Sequence, residues 1–84
     1  MVRTLEELSI EEIQILQITK ESGTTHKLGI MSQIKQYFTH ANREFNIDLI
    51  QKTLDRLVVE GLIRYIKDLD SYSITELGQD ILFS

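Results

Sequence analysis

The chain has no cysteine among its 84 residues, so neither a disulfide framework nor a cysteine-ligated zinc site can hold it together. It has no proline either, and no proline-rich linker, internal repeat or low-complexity tract interrupts it. No apolar run is long enough to span a membrane, and the residues after Met1 do not form the basic start and apolar core of a signal peptide. These absences lead to the expectation of a cytoplasmic protein folded as one continuous domain over residues 1–84. Catalysis is not advertised. The serine and threonine hydroxyls have no nucleophile–base arrangement around them, and no glycine-rich phosphate loop follows a strand. His26 and His40 are the only histidines and lack a matched carboxylate spacing, which leaves no recognisable metal motif. The expectation is a protein that is not an enzyme and that carries no metal and no cofactor.

What is present is an ordinary globular composition with 42% hydrophobic residues. A domain of this size buries a modest fraction of its surface, so dimerisation would add stability by covering more apolar area. The formal charge of −4 argues at first against a nucleic-acid partner, because neutralising phosphates supplies most non-specific affinity. Its distribution points the other way. Residues 1–24 carry five acids and two bases, residues 25–67 four acids and seven bases, and residues 68–84 four acids and no base. The positive excess is confined to the middle of the chain.

Local signals mark the elements. Ser9 with Glu12 forms a capping box and Leu8 with Ile13 a hydrophobic staple, which predicts a helix over residues 10–22 ended by Gly23. Ile10, Ile13 and Leu16 share one face of it while Ile15 and Ile18 point away. A helix with two apolar faces either packs between elements of its own domain or shares one face with a second copy. Residues 24–28 predict a short strand. Residues 29–40 predict a second helix with Ile30, Ile34, Tyr37 and Phe38 toward a core.

The best-marked stretch runs from Asn46 to Thr75. Asn46 is an N-cap, Phe45 and Ile50 occupy staple positions, and Ile47, Ile50, Leu54, Leu57 and Val58 recur at helical spacing. Gly61 stops that helix in a left-handed conformation. Leu62, Ile63, Tyr65 and Ile66 form a β-prone run, Asp68 to Ser71 supplies a turn, and Tyr72 to Ile74 returns antiparallel as a hairpin. Thr75 caps a last short helix in which Gly78 implies close backbone packing. Its apolar end, with Leu77, Ile81, Leu82 and Phe83, either folds back on the first helix or completes a dimer.

Leu54-x-x-Leu57-x-x-x-Gly61-Leu62-Ile63, followed by Tyr72-Ser73-Ile74-Thr75-x-x-Gly78, resembles the motif pair of winged helix-turn-helix proteins, especially MarR- and PadR-like regulators. The matching positions lie within residues 54–78, and the preceding helices follow the same order. The resemblance implies a mainly α fold with a small β-hairpin, an α+β winged helix-turn-helix in the order helix, short strand, helix, helix, strand, strand, helix. It further implies a homodimer that binds duplex DNA and regulates transcription through its third helix.

On that basis Gln51, Lys52 and Arg56 read base edges or phosphates, and Lys27, Lys35, Arg43, Arg64 and Lys67 hold the backbone. Ile15 and Ile18, with Ile81, Leu82 and Phe83, form the dimer interface. Taken alone, Gln, Lys and Arg on an exposed helix describe an ordinary solvated face. Asp48 and Leu49 stand where such regulators place small polar residues near phosphates. The acidic turn Asp68-Leu69-Asp70-Ser71 is unsuited to a minor groove. The alternative is therefore a winged-helix module for protein binding that contacts its partner through Leu49 and Val59.

Overall fold

The structure, a computed structural model, describes residues 4–83. A 3-10 turn at Leu5–Glu7 leads into α1 (Ile10–Ser22), β1 (Thr25–His26), α2 (Lys27–His40) and α3 (Ile47–Val59). These are followed by β2 (Ile63–Ile66), a 3-10 turn at Lys67–Leu69, β3 (Ser71–Ile74) and α4 (Glu76–Leu82). The protein is thus mainly helical with a small antiparallel sheet in the order β1-β3-β2. β3 is the central strand. It pairs Thr25 with Tyr72 and His26 with Ser71 on one side, and Ile63 with Ile74 through Ile66 with Ser71 on the other.

The helix ends follow from capping chemistry. Ser9 Oγ accepts from Glu12 N–H at 3.2 Å while Glu12 Oε1 accepts from Ser9 N–H at 2.9 Å, so each side chain satisfies the other residue's backbone N–H at the start of α1. Asn46 Oδ1 accepts from the N–H groups of Asp48 and Leu49. At the C-termini of α2 and α3 the same device recurs. Asn42 (φ 57°) and Gly61 (φ 79°) take left-handed conformations, and the next residue donates back five positions, Arg43 to Phe38 and Leu62 to Leu57.

One core joins the layers. Ile15 and Leu16 of α1, Ile30, Ile34 and Phe38 of α2, Ile50, Leu54 and Leu57 of α3, and Leu62, Ile63, Tyr72 and Ile81 pack together almost without solvent exposure. Each fully buried aliphatic side chain contributes about 2 kcal/mol. Two polar residues of α1 are buried: Glu12, whose Oε1 accepts from Ser9 N–H, and Thr19, whose hydroxyl donates to the carbonyls of Ile15 and Leu16.

Several sequence expectations are corrected by this packing. Ile15, Ile18 and Ile81 are buried inside the chain's own core, and Leu82 is half-buried against it, so these residues do not form a free dimer face. α1 packs against α2, α3, α4 and β3 at once, which is why both of its apolar faces are covered from within. Of the five residues assigned to that interface only Phe83 is exposed, at 70%, with the Lys20 ammonium 4.2 Å from its ring centroid. Ile47 and Tyr37 lie at the surface rather than in the core. The strand after α1 spans two residues and α2 begins at Lys27, because His26 caps it: the imidazole Nδ1 accepts from Leu28 N–H at 3.1 Å.

The β2 entry and the α4 entry are tied at one point. Thr75 Oγ1 donates to Gly61 O at 2.6 Å, Thr75 N–H donates to Leu62 O at 3.1 Å, and Gly78 N–H donates to Thr75 Oγ1 at 3.1 Å. Gly78 lies so close that a Cβ would collide with the Leu62 carbonyl oxygen and sit 2.9 Å from Ile74 Cγ1. Glycine to alanine within a helix ordinarily stabilises by about 1 kcal/mol. Here the sign reverses: Gly78→Ala is expected to destabilise by about 1–3 kcal/mol through overpacking, read from the midpoint of chemical denaturation. An unchanged or raised midpoint would contradict the close approach.

Candidate nucleic-acid interface

The buried stripe of α3, Ile50, Thr53, Leu54 and Leu57, fixes which side chains point outward. Asp48, Lys52, Asp55 and Val59 recur at the spacing of the opposite face, and all four are exposed. The outermost ridge of the helix therefore carries two carboxylates, one ammonium and a valine that is 86% exposed.

The ridge divides the residues expected to act together. Lys52 and Arg56 turn toward the start of α1 and line a cleft of about 240 Å³ with Ser9, Glu11, Glu12, Leu49 and Thr53. Gln51 and Asp55 turn the other way, into a groove of about 410 Å³ shared with Lys27, Val58, Val59, Tyr65 and Tyr72. Within the groove Gln51 Nε2 donates to Asp55 Oδ1 at 3.1 Å. One donor of the Gln51 amide is thus engaged along the helix, and base reading by that donor would require breaking the bond.

The remaining cations are spread around these two features. Lys35 is exposed on α2, Arg64 is exposed on β2, and Lys67 is exposed in the turn after it. Arg43 lies over the Phe38 ring, 5.5 Å from its centroid, at the end of α2. None of these four lines either cleft. Among the described residues the only ion pair is His26 with Asp70 at 3.9 Å, so Lys27, Lys35, Arg43, Lys52, Arg56, Arg64 and Lys67 are not tied to carboxylates there.

No family model, curated protein or solved structure matches the chain. Among the described residues no group of three or more histidine, aspartate or glutamate side chains is placed to hold a metal ion, and no helix is long and apolar enough to cross a membrane.

The turn between β2 and β3 holds a cluster that the sequence reading missed. Asp70 takes a left-handed conformation (φ 47°), its carbonyl accepts from Lys27 N–H at 3.0 Å, and its Oδ1 accepts from the Tyr65 hydroxyl at 2.6 Å. The aspartate in a turn-forming run was the available signal, since Asp tolerates that conformation better than most residues. Leu28 and Leu69, both largely exposed, were also not singled out.

The Asp70 hydrogen bond holds the Tyr65 phenol above its ordinary value of 10.0, with desolvation and the nearby charge adding to it. Burial pushes the Tyr72 phenol up first, the Gln51 hydrogen bond opposes, and the Asp55 and Asp70 carboxylates add to the rise. A raised phenol pKa means that the folded chain favours the neutral donor. That contribution is fully present below the unfolded chain's value and lost as pH rises through the folded one. A residue-resolved NMR titration of the tyrosine rings is expected to show Tyr65 ionising earlier in Asp70→Asn than in the parent chain. An identical midpoint in the two would contradict the assignment of the shift to Asp70.

Proposed function

We propose that the protein is a winged helix-turn-helix DNA-binding protein that regulates transcription by occupying a duplex site. The support is the element order, with a two-helix unit of α2 and α3 followed by a β2–β3 hairpin whose central strand also pairs β1. The observation that carries the reading is the state of α3. Its inner stripe is anchored in the core, while Lys52 and Arg56 are exposed, border the cleft beside the start of α1, and have no ion-pair partner among the described residues.

In this reading α3 enters the major groove, Lys52 and Arg56 meet guanine edges or phosphates, and Lys35, Arg43, Arg64 and Lys67 hold the flanking backbone. Gln51 acts as a brace for Asp55 rather than as a reader. The acidic hairpin turn stays out of the minor groove. Two copies joined over the outer side of α4, where Leu77 and Phe83 are exposed, would present two such helices to a roughly palindromic site.

A second reading is favoured by Val59 and Leu49, apolar side chains exposed on the same helix, together with Ile47 at its start. They describe a surface for a protein partner and fit nucleic acid poorly.

Fluorescence anisotropy with labelled mixed-sequence duplex separates the two. Binding is expected to weaken steeply with added salt, and Lys52→Glu and Arg56→Glu are each expected to weaken it by about tenfold or more. No binding at low salt would overturn the DNA reading and leave the apolar surface as the functional one.

A further inference from the structure

α2 carries a histidine at each end, and the two are in opposite electrostatic positions. His40 lies in the last turn, where the helix dipole favours a positive charge. His26 is the N-cap, where the dipole opposes one. The cap bond also fixes the form of the ring. Because Nδ1 accepts from Leu28 N–H at 3.1 Å, the neutral imidazole carries its proton on Nε2, and that nitrogen stands 3.9 Å from Asp70 Oδ2. This is beyond a hydrogen bond.

Protonation places a hydrogen on Nδ1, where it meets the Leu28 N–H donor to donor, so the cap cannot persist. Moving the ring about 1 Å toward Asp70 would give Nε2 a charge-assisted hydrogen bond. Asp70 cannot make the move itself. Its carboxylate is held by the Tyr65 hydroxyl, its carbonyl by Lys27 N–H, and its N–H donates to Lys67 O at 3.2 Å. The ring has to travel.

The other charged groups do not reverse this. The hairpin turn contributes Lys67 and Asp68, α2 contributes Lys27, and the last turn of α1, which also packs against β1, contributes Lys20 and Glu21. Only Asp70 lies within ion-pair distance of the imidazole among the described residues. Tyr65, a phenol whose pKa the Asp70 bond raises further above its ordinary 10.0, adds no charge there at physiological pH.

We infer that His26 is a pH-sensitive latch: protonation releases the first turn of α2 from its cap and transfers the imidazole to Asp70 on the β2–β3 turn. Acid thereby loosens the start of α2 while tightening the bond between β1 and the hairpin. The latch does not depend on what α3 binds. As a side-chain type imidazole changes charge between about pH 8 and about pH 5, which sets the range to search.

The test is an NMR titration of the full chain over that range, following the imidazole nitrogens of His26 and His40 and the backbone amide of Leu28. At the upper end the His26 ring is expected in the form with its proton on Nε2. As it protonates, Leu28 is expected to lose roughly fivefold in exchange protection, the factor that matches removal of an N-cap. In His26→Asn, whose side-chain oxygen caps at any charge, the Leu28 amide is expected to stay constant while His40 still titrates. A Leu28 amide that ignores His26 protonation in the parent chain would overturn the latch, as would the same response in His26→Asn.

Discussion

Burial of one stripe of α3 is the constraint on which the rest of the molecule depends. Ile50, Leu54 and Leu57 are fully buried in the core, where α3 packs against α1 and β2, and together they contribute about 6 kcal/mol of burial. Turning the helix by a single residue would put Lys52 or Asp55 toward the core, and the cost of an unpaired buried charge would add to the burial lost from the stripe. The outward ridge of Asp48, Lys52, Asp55 and Val59 is a consequence of the inner stripe. So is its division of Lys52 and Arg56 from Gln51 and Asp55, which face different neighbours across the ridge.

The small sheet is fastened to the helices at both ends. At one end Gly61, Leu62, Thr75 and Gly78 bring the exit of α3, the start of β2 and the start of α4 within hydrogen-bond reach. The absence of a side chain at Gly78 makes that approach possible. At the other end Asp70 joins the hairpin turn to the start of α2 through Lys27 and His26. The first join is made of backbone groups and hydroxyls and is insensitive to pH. The second includes an imidazole and a carboxylate, so the two ends of the sheet respond differently to acid.

Much of this was legible in the residues. The Ser9–Glu12 box, the Asn46 and Thr75 caps, the Gly23 and Gly61 stops and the hairpin between Gly61 and Thr75 are local signals, and local signals survive folding because few neighbours are needed to satisfy them. The fate of Ile15 and Ile18 was not legible. A helix that is apolar on two sides can be wrapped by its own chain or by a second copy, and the pattern is the same in both cases. Gln51 shows a related gap: helical spacing puts it beside Asp55, but the groove that both share with Lys27, Tyr65 and Tyr72 comes from packing. His26 as a cap escaped notice because histidine is not among the favoured N-caps, and its role depends on which ring nitrogen faces Leu28.

The surface proposed to meet duplex DNA is the exposed side of α3. Backbone amide shifts of labelled protein, followed as unlabelled duplex is added at low salt, test it by position. The claim predicts perturbations concentrated at Lys52, Asp55, Arg56 and Val59 with smaller ones at Lys35 and Arg43, and unchanged signals in α4. Perturbations confined to α4, or none at all on α3, would contradict it.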